Sequence, residues 1–107
     1  MPPDIEAIAE GVFAALADPT RRAILQAVAE RGPVTATSLA DGLPVTRQAV
    51  AKHLAQLRGA GLVAAERTGR ETRFTAVTRP LDDLASWAES TGRRWDDRLA
   101  RLRRRFE

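Results

Sequence analysis

Between Val34 and Val63 the chain reads VTATSLADGLPVTRQAVAKHLAQLRGAGLV, and the breakers inside that segment leave its backbone few choices. Gly42 and Pro44 interrupt an otherwise helical pattern, and Gly61 ends it. Thr35 suits the cap of a short helix over about Ala36–Asp41, stopped at Gly42. Thr46 suits the cap of a longer one running to about Ala60, with Gly61 as its left-handed stop. Leu39 in the first and Leu43 just after it face inward, and Val50, Leu54 and Leu57 form the buried stripe of the second. Arg47, Gln48, Ala51, Lys52 and Gln56 fall elsewhere around that longer helix and stay available to a partner.

The flanks follow from similar signals. Ile5, Ile8, Val12, Phe13 and Leu16 stand at helical spacing, predicting a helix over Ile5–Ala17. Asp18-Pro19 then restarts the chain: Asp18 caps, and Pro19 suits a first helical position whose amide has no helical partner. This second helix buries Ile24, Leu25 and Val28 and ends near Arg31, before Gly32-Pro33. Leu62–Arg67 and Thr72–Val77 read as strands, joined by a loop at Thr68-Gly69-Arg70-Glu71. A last helix is expected over Leu81–Phe106, with Leu81, Leu84, Ala88, Thr91, Trp95, Leu99, Leu102 and Phe106 at three- and four-residue steps. Gly92 is a point where it would bend or break. The expected fold is mainly α with a small β-hairpin, ordered α-α-α-α-β-β-α, a winged helix-turn-helix in one domain over residues 1–107.

With 107 residues there is enough chain for one modest core. No apolar run approaches the ~18 residues of a membrane span, and MPPDIEAIAEG lacks the basic-then-apolar order of a secretion signal. A cytoplasmic protein is expected, with no membrane partner. The absence of cysteine excludes disulfides, thiolate metal sites and cysteine nucleophiles. The net charge of +3 is unevenly spread. Residues 1–18 carry Asp4, Glu6, Glu10 and Asp18 with no basic residue, whereas residues 43–79 carry seven basic residues against Glu66 and Glu71. A basic middle suits a polyanion such as double-stranded DNA, and equally describes a solvated surface.

The order of elements and its wording resemble the ArsR/SmtB family of winged helix-turn-helix regulators. The matching words are ALADPTRRAIL (15–25), KHLAQLRGAGLV (52–63) and ERTGRETRFT (66–75). The ending WAESTGRRWDDRLARL (87–102) looks like a branch with tryptophan in the last helix. The resemblance covers about residues 5–105. It implies a homodimer paired through its first and last helices, binding an inverted-repeat operator and often repressing its own operon. Metal-sensing members carry a cysteine-rich motif where this chain has TATSLADGL, or Asp-x-His and a further histidine on the last helix, where this chain has none. No metal or other cofactor is therefore expected, and a small-molecule effector is left open as an alternative. The family commonly has serine where Ala51 stands, which removes a hydroxyl contact and leaves room for a thymine methyl.

The amino end of a recognition helix approaches base edges most closely, which puts Thr46, Arg47, Gln48 and Lys52 forward, with Gln56 further along. Arg47 could bond guanine through two atoms, Gln48 adenine in the same way. Lys52 could meet a phosphate or guanine as a point charge. Arg67, Arg70 and Arg73 sit in or beside the hairpin loop and could lie on phosphate or enter a narrow minor groove. For Arg67 and Arg73, cross-strand pairing with Glu66 or Glu71 is an equal alternative. His53, the only histidine, is expected to be structural and hydrogen-bonded between helices. Val12, Phe13, Leu16, Leu84, Trp87, Trp95 and Leu99 are expected at a dimer interface, since one small domain cannot cover two long outer helices. Trp87, Trp95 and Phe106 could alternatively line a ligand pocket. The arginines of 101–105 extend DNA contact or simply solvate the helix end. No metal cluster, phosphate-cradling glycine loop or nucleophile–base pair points to an enzyme. The competing expectation is a winged-helix module that binds a protein partner.

Overall fold

The structure, a computed structural model, describes residues 4–105. Phe106 lies outside these residues, as does the Leu102 side chain. The elements are α1 (Ile5–Leu16), α2 (Pro19–Arg31), β1 (Val34–Thr35), α3 (Ala36–Asp41), α4 (Arg47–Gly59), β2 (Val63–Thr68), β3 (Glu71–Ala76) and α5 (Arg79–Arg105). The winged helix-turn-helix is formed as expected, with one strand more than the sequence suggested. Two residues, Val34 and Thr35, pair antiparallel with Phe74 and Arg73, so the sheet has the order β1-β3-β2. A strand this short has no period to read.

Local capping explains the helix starts. The Asp4 carboxylate accepts from Ala7 N–H, Thr35 Oγ1 from Ser38 N–H and Thr46 Oγ1 from Ala49 N–H, the last two at 3.1 Å. Asp18 caps α2 by accepting from Thr20 N–H at 2.7 Å and Arg21 N–H at 3.3 Å. Arg21 and Arg22 then reach back over the break. Arg21 donates to the carbonyls of Ala14 and Ala15, and Arg22 to that of Leu16. The end of α1 is thus capped by the start of α2, and the word ALADPTRR describes one joint.

Two glycines are required by their surroundings. Gly61 has φ +76°, which lets α4 turn directly into β2. At Gly32 a Cβ would stand 2.6 Å from the Val28 carbonyl oxygen and 3.0 Å from that of Phe74, so the end of α2 lies tight against β3.

The core holds Val12 and Ala15 of α1, Ile24 and Val28 of α2, Val34, Leu39, the α4 stripe Val50, Leu54 and Leu57, then Leu62, Val63 and Leu84. This corrects part of the expected interface. Val12 is 1% exposed and Leu84 9% exposed, so both are covered by their own chain, and Leu16 packs partly buried against the same cluster. Phe13, expected at the interface, does point outward from α1. Ala9 and Ala15 complete the core-facing side of α1.

Helix α5 runs unbroken through Gly92, contrary to the expected bend. Its 27 residues span about 40 Å at helical rise. Only its first part is held by the body, through Leu81 and Leu84. The radius of gyration is consequently 18.4 Å, against about 13 Å for a compact chain of this length.

Candidate nucleic-acid interface

Burying Val50, Leu54 and Leu57 fixes the rotation of α4 and turns Arg47, Gln48, Ala51, Lys52, Ala55 and Arg58 to solvent. Arg47 and Gln48 are the first residues of the helix after the Thr46 cap. Thr46 is exposed, and its oxygen is engaged as an acceptor by Ala49 N–H. Among the described residues no hydrogen bond or ion pair within the chain engages Arg47, Gln48 or Lys52. Ala51 and Ala55 leave the middle of this face low, so a helix here can approach a groove floor closely.

Gln56 is placed elsewhere. Its side-chain oxygen accepts from Arg21 Nη1, which joins it to the α1–α2 joint rather than to Arg47. The sequence position alone, three turns into α4, carried no sign of that long-range partner. His53 is half-buried, but its Nδ1 is buried without a hydrogen-bond partner among the described residues, so the expected interhelical bond is not made. Its ring instead stands near the α2 cap. The Asp18 carboxyl is held below the usual carboxylate range chiefly by Thr20 N–H; burial opposes this, while Arg21 N–H and the charges of His53 and Arg21 add to it.

Strand alternation divides the arginines of the wing. In the β2–β3 register Arg67 faces Thr72 and Ala65 faces Phe74, while Glu66 faces Arg73. Arg67 therefore shares a sheet face with Thr72 and Phe74. Arg73 lies on the other face, where it donates to Glu71 of its own strand through Nε at 3.2 Å and Nη2 at 3.0 Å. Both partners are about half exposed, so the pair contributes little. Arg70 is exposed at the turn. The strands extend closer to the tip than expected, leaving Gly69 and Arg70 as the connection.

Between α3, α4 and the wing lies an open cleft of about 630 Å³, lined by Thr37, Ser38, Ala51, Arg70, Thr72 and neighbours. It joins the exposed face of α4 to the wing tip. Arg31 braces its α3 wall by donating to Ser38 Oγ at 3.0 Å. The hydroxyls of Thr37 and Thr72 on this cleft were missed by sequence reasoning. For Thr37 the run of hydroxyls in TATS (35–38) was a signal, and it was spent on capping; for Thr72 there was none. Such hydroxyls can donate to phosphate oxygens.

Residues 16–65 match the helix-turn-helix domain family. The chain is 39% identical over 87 residues to the HTH-type transcriptional regulator YuzN of Bacillus subtilis, covering 75% of this chain and 95% of that one. It is 32% identical over 76 residues to the transcriptional repressor SdpR of the same organism, covering 71% and 83%. An ArsR-like transcriptional regulator from Rhodococcus sp. RHA1 superposes with a TM-score of 0.82 at 44% identity over 92% of each chain. The chain belongs to the ArsR-like family of winged helix-turn-helix transcriptional regulators, which are DNA-binding proteins and not enzymes.

Proposed function

We propose that two copies of this chain form a cytoplasmic, single-domain repressor that reads an inverted-repeat operator through paired α4 helices. The observation that carries the reading is the exposed face of the first two turns of α4, with Arg47, Gln48 and Lys52 unengaged among the described residues, opening onto a cleft that ends at Arg70. Arg47 and Gln48 read base edges; Lys52, Arg67, Arg70, Thr37 and Thr72 hold the backbone. Gln56 and Arg73, each bound inside the chain, are not included. The two α4 helices enter successive major grooves about 34 Å apart. Pairing is supported by Phe13, Trp87, Trp95 and Leu99, which are 63%, 45%, 59% and 48% exposed on α1 and α5. Repression is supported by the likeness to SdpR. No metal, small-molecule effector or membrane is invoked.

Replacing Arg47 and Gln48 together by alanine tests the assignment. Loss of two bidentate contacts, each discriminating by about 1–3 kcal/mol, should abolish operator preference and leave salt-sensitive nonspecific binding. The measurement is footprinting on DNA from upstream of the chain's own gene. A footprint identical to that of the unaltered protein rejects the recognition-helix assignment. Absence of any salt-sensitive binding by the unaltered protein favours a protein-interaction module.

A further inference from the structure

We infer that the pairing surface is charge-coded: an arginine row on the projecting end of α5 seats on an acidic row along α1 of a second copy. The inference rests on the homodimer reading above and names the contacts that would hold it.

The two rows have matching form. On α1, Glu6, Glu10 and Phe13 follow one another at four- and three-residue steps, so they share one face, and all three are exposed. Residues 4–17 hold Asp4, Glu6 and Glu10 and no basic residue. On α5, Arg94, Arg98 and Arg101 follow the same four-then-three spacing, beside the exposed Trp95 and Leu99. Residues 93–105 hold seven arginines against Asp96 and Asp97, a local charge of +5. One surface is an aromatic side chain with an acidic row; the other is an aromatic side chain with a basic row. Thr91, Arg94, Trp95 and Arg98 line a shallow open groove between side chains of this one helix.

Among the described residues neither row is paired within its own chain. Among the described residues the ion pairs are Arg73–Glu71 and Arg93–Glu89, and neither involves these groups. The part of α5 that carries the arginine row extends past Leu81 and Leu84, which anchor α5 to the body. Like charges at four-residue spacing also weaken a lone helix. The helix dipole offsets this only in the last turn, and Arg94 lies about three turns before the end of α5. A two-fold pairing would place each basic row on the other chain's acidic row, giving two equivalent seams.

The test uses the full chain in sedimentation equilibrium. Arg94→Glu/Arg98→Glu/Arg101→Glu and, separately, Glu6→Arg/Glu10→Arg should each weaken self-association by about tenfold or more. Circular dichroism and urea melts identify any variant that fails to fold. An equimolar mixture of the two variants should associate with near-original affinity, because both seams of the mixed dimer are again complementary. A contact within one chain cannot produce that result. A five-fold-substituted chain carrying both reversals should likewise regain self-association, which supplies a second readout if one parent variant folds poorly. Raising salt from about 0.1 M to about 1 M, which shortens screening from about 10 Å to about 3 Å, should weaken the unaltered dimer and not one held by apolar contact alone. If both variants stay dimeric with unchanged affinity, or their mixture gains nothing, the charged seam is overturned while the dimer stands. If the arginine variant remains dimeric and loses only DNA affinity, the row is a DNA contact and the seam is overturned. If the unaltered chain binds its operator as one subunit, the homodimer reading fails and takes the seam with it.

Discussion

Helices α4 and α5 are both amphipathic, yet their apolar faces have different fates. On α4 the face is closed by the chain itself: Val50, Leu54 and Leu57 are fully buried. On α5 the face begins in the core at Leu84 and then runs out into solvent at Trp95 and Leu99. The contrast separates two uses of one pattern. A closed apolar face fixes the rotation of a helix and so presents its polar side, here Arg47 and Gln48. An open apolar face is itself the surface on offer.

The sharpest way to break the comparison is to truncate each face. Leu54→Ala should cost about 2–5 kcal/mol, since it opens a cavity among fully packed neighbours. Urea melts measure this, and a loss below about 1 kcal/mol would mean that the α4 face is not closed as described. Trp95→Ala with Leu99→Ala should leave the subunit's circular dichroism intact. What it should remove is the rise of melting temperature with protein concentration that a folded-state dimer imposes. A melting temperature that still climbs with concentration in that variant would place the pairing elsewhere.

The same contrast explains what was legible in the sequence. Helix starts were readable because Asp18, Thr35 and Thr46 act on amides two or three residues away. The stop at Gly61 was readable because only its own φ decides it. The recognition face followed once Val50, Leu54 and Leu57 were recognised as one stripe. Periodicity failed where the question was who covers a face. Val12 and Leu84 carry the same spacing signal as interface residues would, and only packing shows that both are buried within their own chain. Gln56 and Arg21 are 35 residues apart in sequence, so no local rule couples them. The wing arginines needed the β2–β3 register before Arg67 and Arg73 could be assigned to opposite faces.

Acid should act on the joint that holds α1, α2 and α4 together. The Asp18 carboxyl titrates below its ordinary range in the folded chain, principally because Thr20 N–H bonds its charged form. Its folded pKa is thus lower than its unfolded one. The resulting stabilisation is fully present above the unfolded value, about pH 4, and is lost as pH falls through the folded value. Asp18→Asn keeps a capping oxygen that does not titrate. It should melt much like the unaltered chain near neutrality and show a shallower loss of stability in acid. Equal acid slopes in the two proteins would remove Asp18 from the account.

The smallest expected effect probes the open helix directly. Gly92 sits inside α5 with nothing within 4 Å of where a Cβ would be, and its φ is not positive. Alanine there should favour the helix by about 0.8–1 kcal/mol through lost backbone freedom in the unfolded chain. The whole of that gain should appear in the subunit, because the body of the protein makes no contact at the position. Its effect on association then reads the partner's distance. If Gly92→Ala raises subunit stability and leaves dimer affinity unchanged, the paired helices stand apart at this turn. If it raises stability and weakens pairing, a backbone of the second copy approaches Gly92 closely, and the pairing surface includes this turn of α5.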